Sequence, residues 1–235
     1  MEEIEIRYSD RNTSPDVINS ILSIEKSVYE PKYCGTFESV KSRYDKFNEM
    51  FVLAYDNNKL AGYLCYFPIS EKLHDDILDT DSLHDDDISP DDIVHLDIPE
   101  ADANNSGESR KYHFYLISVA VSPEYHKKGI GKLLMDGLFE KLREFEKVGI
   151  LTDDILASTV SKDGEKTVKK YGFKKKSNYP EATGYQVYQK NGLAMYSDVY
   201  VMIPVTGKLY EKYLDTDATV GKYIQLINEN FNNEC

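Results

Sequence analysis

The segment Val119-Ala120-Val121-Ser122-Pro123, running on through His126-Lys127-Lys128-Gly129-Ile130-Gly131-Lys132-Leu133-Leu134, limits what this chain can fold into more than any other. An apolar, β-branched run stops at Pro123. A short basic loop with glycines comes next, and then an amphipathic helical pattern begins. A strand, a tight loop and a helix N-terminus in that order make an anion site. Glycine lets the backbone come close, unpaired N–H groups point outward, and the helix dipole favours negative charge. Lys127, Lys128 and Lys132 add positive charge at the same corner. The ligand such a corner suits is a phosphate or pyrophosphate.

The familiar nucleotide signatures do not fit. A P-loop requires glycine five residues before Gly131, where His126 stands, and Ser or Thr after Lys132, where Leu133 stands. A dinucleotide fingerprint requires a third glycine, and Leu134 occupies that place. The stretch resembles instead the acyl-CoA-binding motif of the GNAT superfamily of N-acetyltransferases. That motif reads Gln/Arg-x-x-Gly-x-Gly/Ala after a strand ending Val-x-Val-x-Pro. Here it is His126-Lys127-Lys128-Gly129-Ile130-Gly131 after Val119, Val121 and Pro123, with His126 departing from the usual Gln or Arg.

The order of elements extends the resemblance. Ile4, Ile6 and Tyr8 alternate with polar residues as a half-buried strand does. Ser14-Pro15-Asp16 reads as a helix start, Ser14 as N-cap and Pro15 at the first helical position, with the helix ending near Tyr29 or Pro31. A second helix is expected over residues 37–47 behind Thr36, then strands over 50–55 and 60–67 as a hairpin. Residues 112–121 read as the long central strand and 129–147 as a helix with Leu133, Leu134, Leu138 and Leu142 on one face. Residues 155–159 read as a strand, 164–171 as a short helix, and Gly172-Phe173 as the start of another strand. In the 70–111 segment, Ile77-Leu78, Ile88 and Ile93-Val94 are candidates for short helical turns. Toward the C-terminus a strand is expected over 199–205 and a helix over 219–230.

The resemblance implies an α/β (α+β) fold class: a GNAT-like mixed sheet, antiparallel in its N-terminal part, with a splayed parallel pair in the middle and flanking helices. Residues 1–190 are assigned to a GNAT-like domain carrying an acidic insertion at 70–111. Residues 191–235 are assigned to a C-terminal extension packed on the same domain, which could cover an edge strand, close the acceptor site or form a homodimer.

At 235 residues there is room for one sizeable core. No apolar run approaches the roughly 20 residues that span a bilayer, so no membrane partner is expected. The acidic start lacks the features of a signal peptide. Cys34, Cys65 and Cys235 are few and scattered, which fits a reduced, cytoplasmic protein better than a disulfide framework. The net charge of −13 argues against nucleic-acid binding. Residues 71–108 hold fourteen Asp or Glu and one Lys, so this single segment accounts for the whole net charge.

The resemblance implies acetyl-CoA as acyl donor and a primary amine as acceptor, with direct attack in a ternary complex. The donor's arm would lie against Val119, Ala120 and Val121. Its pyrophosphate would lie on the loop of His126, Lys127, Lys128, Gly129, Ile130, Gly131 and Lys132, with Ser161 nearby. The family's general acid, a Tyr four residues before a Gly-Phe pair, is missing: Val168 stands there, and Ser161 replaces the Asn seven residues earlier. Tyr171 is close in sequence but about 300° further round the helix. Candidates for proton transfer are Tyr171, His113 and Ser118, with His113 and Tyr115 on one face of the central strand and Ser118 on the other. Glu25 and Glu30, around the first helix, could also face the acceptor, and Tyr29 joins Glu30 as a substrate contact.

Asp85, Asp86 and Asp87 form the densest part of the acidic insertion and are read as a wall of the acceptor site, drawing in a small cationic amine by their field. A solvated acidic loop explains the same composition equally well. His74, His84 and His95 lie among aspartates, but no spacing matches a zinc site or calcium loop, so no metal is expected. The overall expectation is an N-acetyltransferase acting on a small-molecule amine. The competing readings are a protein-lysine acetyltransferase and a noncatalytic acyl-CoA-binding regulatory module.

Overall fold

The computed structural model describes residues 4–79, 88–97, 109–175, 186–190 and 193–202. The chain runs β1 (Ile4–Tyr8), α1 (Asp16–Val28), α2 (Phe37–Lys46), β2 (Phe51–Asp56), β3 (Lys59–Ile69), α3 (Glu71–Asp79), β4 (Arg110–Val121), α4 (Ile130–Lys147), β5 (Ile150–Thr159), α5 (Lys162–Lys170), β6 (Lys174–Lys175), β7 (Gln186–Lys190) and β8 (Leu193–Met202). The strands lie side by side as β1-β2-β3-β4-β5-β8-β6, with β7 also on β8. Every neighbouring pair is antiparallel except β4 and β5, which are parallel. A parallel pair needs a crossover, and α4 supplies it.

Local chemistry accounts for the element ends. Thr36 accepts a hydrogen bond from the Ser39 N–H at 3.1 Å and caps α2. Ser14, the expected cap, stands one place upstream of the observed one. Pro15 takes the cap position of α1, and Ser14 Oγ accepts from Asp16 N–H at 3.3 Å. In the acidic segment, Pro90–Asp92 forms one helical turn inside a capping box with Ser89, whereas Ile93 bridges to Ile69. Ile93 therefore extends the sheet edge instead of making a helical turn, because Val94 N–H finds the Pro68 carbonyl at 3.2 Å. Part of the 70–111 segment is thus stitched onto the end of β3.

The core lies on both faces of the sheet. On one face α1 and α2 cover β2 and β3, and Tyr44 stacks on Phe51 with ring centroids 6.0 Å apart. On the other, α4 buries Ile130, Leu134, Met135, Leu138, Phe139, Leu142 and Phe145. Phe114, fully buried, reaches Phe145 across that layer at 6.3 Å. Each such side chain removed from water stabilises the fold by roughly 1.5–3 kcal/mol. Leu133, expected on this face, is 37 % exposed. The buried stripe runs through positions four apart from Ile130, and Leu133 falls outside it. Gly137 lets α4 settle onto β1 and β2: a Cβ there would meet Val52 Cγ1 at 2.7 Å.

Strand β4 is irregular in two ways. Its pairing with β5 ends at Leu116↔Ala157, while its pairing with β3 continues to Val121↔Gly62. The two parallel strands separate beyond that point. The register with β3 also shifts: Tyr66 faces Leu116, but Cys65 faces Ser118, so Ile117 is one extra residue in β4. A bulge of one residue reverses the alternation of faces. Ser118 therefore shares a face with His113 and Tyr115, which corrects the expectation from simple alternation.

Candidate active site

The gap between the separated strands opens into a cavity of about 480 Å³. Its walls are Val119 to Val121 of β4, Ala157 to Thr159 of β5, the α1 end with Glu25 and Tyr29, and Ser161 and Val168 of α5.

The bulge turns Ser118 toward α1, into a hydrogen-bonded chain of side chains. Ser118 Oγ lies 2.8 Å from Tyr63 Oη and 3.3 Å from Tyr29 Oη. The Tyr63 hydroxyl donates to Glu25 Oε1 at 2.6 Å, and Gly35 N–H donates to Glu25 Oε2 at 2.9 Å. The Tyr29 hydroxyl donates to the Val119 carbonyl at 2.9 Å. A hydroxyl has one proton. With those of Tyr63 and Tyr29 committed, Ser118 is the donor toward whichever tyrosine it faces, and its lone pairs remain open to the cavity. Burial first, then the neighbouring Tyr29 and Glu25, hold the Tyr63 phenol well above its usual range, so it stays protonated. Glu25 is buried, with 7 % of its surface exposed. A buried carboxylate beside a chain of hydroxyls is the arrangement a general base needs.

At the other end of the cavity lies the basic loop. Lys127 and Gly129 both take positive φ, 61° and 81°, which turns the chain sharply into α4. Lys132 and Leu133 N–H reach back to the Gly129 carbonyl. Among the described residues, no backbone acceptor takes the N–H groups from Lys127 to Gly131. These amides converge at a helix N-terminus, as an anion site requires. The lysines contribute unequally: Lys132 pairs with Asp136 at 2.6 Å, and Lys128 sits over the Tyr125 ring at 4.8 Å. His126 Nε2 lies 2.9 Å from the Val121 carbonyl, so that nitrogen carries the hydrogen. Val119 and Val121, two apart, turn their carbonyls to the open side of β4, and their N–H groups point the same way.

The structure brings together Ser118, Tyr29, Val119 to Val121, His126, Gly131 and Ser161 around one cavity; Lys127 to Ile130 form the turn between His126 and Gly131 and do not line it. Ser161 caps α5, accepting from Gly164 N–H at 3.0 Å. Other candidates lie elsewhere. Tyr171 is buried, stacks on Phe139 at 6.2 Å and donates to the Lys132 carbonyl at 3.4 Å, away from the cavity wall. His113 sits five positions back along β4, 2.8 Å from Asp154, whose hydrogen bond raises the imidazole above its ordinary value. Glu30 is exposed and pairs with Lys32 at 3.2 Å. Asp85, Asp86 and Asp87, and the helix expected over 219–230, lie outside the described residues. Nothing in the sequence marks Tyr63; a tyrosine inside an apolar hairpin strand carries no signal beyond core packing.

The sequence model described as "Acetyltransferase (GNAT) family" matches residues 18–157. No curated protein matches the sequence at a significant level. Solved structures do. The loading GNATL domain of CurA from Lyngbya majuscula superposes with a TM-score of 0.58 at 11% identity, covering 86% of this chain and 98% of that one. The ribosomal-protein-S18-alanine N-acetyltransferase of Escherichia coli gives 0.50 at 13%, over 88% and 97%. Arabidopsis thaliana NAA60, solved with acetyl-CoA, gives 0.50 at 13%, over 86% and 99%. At such identities the likeness is one of fold. Among the described residues, no helix is long and apolar enough to cross a membrane.

Proposed function

The chain belongs to the acetyltransferase (GNAT) family and is an acyltransferase, and we propose that it moves an acetyl group from acetyl-CoA to a primary amine by direct attack. The observation that carries this reading is the separation of β4 from β5, with amides at one end of the gap and a buried carboxylate relay at the other. The residues present fit the donor. The N–H groups of Lys127 to Gly131 would hold its pyrophosphate, and the N–H groups of Val119 and Val121, on the side of β4 away from β3, would pair with its arm.

Acetyl-CoA supplies the activated acyl group. The chain's own part is placement and proton transfer. Ser118 accepts a proton from the incoming ammonium while its own passes to Tyr63 Oη. The Tyr63 proton passes in turn to Glu25, so each hydroxyl gives one proton and gains one. Tyr29 would meet charge on the departing thiolate by turning its proton from the Val119 carbonyl. Val168 offers no proton, which leaves this role to Tyr29 or to water.

The acceptor is a small cationic amine in this reading, drawn in by Asp85, Asp86 and Asp87, and the site is cytoplasmic. The E. coli neighbour is named as a ribosomal-protein-S18-alanine N-acetyltransferase, so its named acceptor is a protein. Peptide amines are therefore the second class to test. The experiment measures CoA release with acetyl-CoA and a panel of polyamines, aminoglycosides and free-N-terminus peptides, using the wild type and the Asp85→Asn/Asp86→Asn/Asp87→Asn variant. Turnover of polyamines with a KM that rises severalfold in the variant is expected. Turnover of peptides alone, or a KM indifferent to the three substitutions, overturns the small-cation assignment.

A further inference from the structure

At the opposite end of β4, α3, β4 and β5 bring five titratable side chains together. His74 of α3 and His113 of β4 stack with ring centroids 3.8 Å apart and planes 27° from parallel. One carboxylate serves both: Asp154 Oδ2 lies 2.9 Å from His74 Nε2, and Asp154 Oδ1 lies 2.8 Å from His113 Nδ1. An ionised carboxylate only accepts, so both of these nitrogens carry hydrogen.

Each ring has one nitrogen left. In a neutral imidazole it is an acceptor, yet each faces a further carboxylate. His74 Nδ1 is 3.2 Å from Asp75 Oδ1, and His113 Nε2 is 3.3 Å from Glu71 Oε2. Two acceptors at this separation repel unless a proton or a metal ion lies between them. The nearby lysines are engaged elsewhere: Lys72 with Asp76 at 2.5 Å and Lys111 with Asp153 at 2.9 Å.

One divalent ion can meet both rings and Glu71 at once. One ligand atom from each of Glu71, His74 and His113 lies within 4.8 Å of the others. The 3.3 Å between Glu71 Oε2 and His113 Nε2 matches the edge, about 3.3 Å, of a tetrahedron with metal–ligand bonds near 2.0 Å, and the stacked rings must turn further out of parallel for both lone pairs to meet the ion. Asp154 stands behind both rings, where a carboxylate fixes the tautomer and orientation of ligating histidines. Two imidazoles with one carboxylate suit Zn²⁺ and its transition-metal neighbours better than calcium or magnesium. Glu71 is largely exposed, its side chain at 84 %, which leaves an open side through which an ion can arrive.

We propose that Glu71, His74 and His113, oriented by Asp154, form a Zn²⁺ site that fastens α3 to the sheet at the root of the acidic segment. Spacing rules miss it because His74 and His113 come from different elements, joined only by the fold. It stands apart from the acetyl-transfer reading and survives or fails without it.

The test uses the full-length, tag-free chain, stripped with chelator and then titrated with Zn²⁺ and with Co²⁺. One equivalent of each is expected to bind, Co²⁺ giving visible d–d bands of a low-coordinate site and Zn²⁺ raising the thermal midpoint. Glu71→Gln changes an exposed side chain and leaves the fold intact by circular dichroism. It is expected to weaken Zn²⁺ at least tenfold and to abolish the thermal shift. His74→Gln is expected to weaken it further. Less than one equivalent on the folded wild type overturns the site. So does undiminished binding by Glu71→Gln, which would place the ion on other acidic residues.

Discussion

From His113 to Leu116, β4 is paired with a strand on each side; from Ser118 to Val121 it is paired on one side only. The first half is closed. Its side chains lock to α3 and β5 through Asp154, and its backbone has no free edge there. The second half is open, and side chains stand in for the missing strand: Tyr29 on the Val119 carbonyl, His126 on the Val121 carbonyl. One strand thus anchors the fold with one half and presents reactive backbone with the other. The hinge between the two is a single extra residue, Ile117, which also delivers Ser118 to the relay face.

If the halves are separate in this sense, substitutions should divide between binding and catalysis in one half and stability in the other. The largest effect is expected from Gly129→Glu. A Cβ there meets nothing within 4 Å, so packing is spared, but φ of 81° suits glycine and the new carboxylate faces the donor's phosphates. Calorimetric titration should show acetyl-CoA affinity falling on the order of 100-fold. Unaltered affinity would remove the donor from this loop. Next comes Glu25→Gln, which ends the relay while keeping an acceptor for Tyr63. Steady-state kinetics should show kcat down on the order of 100-fold with donor affinity unchanged. A normal kcat would show that the amine loses its proton by another route. Smallest in function is Asp154→Asn in the closed half. Urea unfolding of the metal-free chain should show a loss of about 2 kcal/mol, as one histidine donor loses its charged partner. Its kcat/KM should match the wild type, and a fall comparable to that of Glu25→Gln would erase the division between the halves.

What is legible in the sequence is what local pattern encodes. The strand ending at Val121, the glycine turn and the helix behind it carry propensity, periodicity and punctuation within one short window, and they suffice to specify the fold. Helix α2 behind Thr36 is readable for the same reason. The reacting groups are not, because they meet only after folding. Glu25 and Tyr63 stand 38 positions apart, Tyr63 and Ser118 55 apart. The bulge at Ile117 is invisible too. One residue added to an apolar strand changes no composition, yet it decides which face every later side chain occupies. The histidines escape notice for a related reason. In sequence His113 is a lone strand histidine and His74 one of several among aspartates, and nothing in either neighbourhood announces the Asp154 that joins them.

The side-chain caps on Val119 and Val121 bear on how the protein keeps company with its own copies. An unpaired strand edge invites a passing strand from another chain to zip onto it, the route to sticky, ladder-like assemblies. Here the vulnerable edge lies inside the sheet instead of at its rim. Tyr29 and His126 occupy its carbonyls, so a foreign backbone finds the acceptors taken. Two hydrogen bonds are a small barrier to a ligand that brings its own donors and a phosphate for the loop. They are a larger one to a strand that brings only backbone. The gap that gives the protein its chemistry is thereby kept from becoming a seam for aggregation.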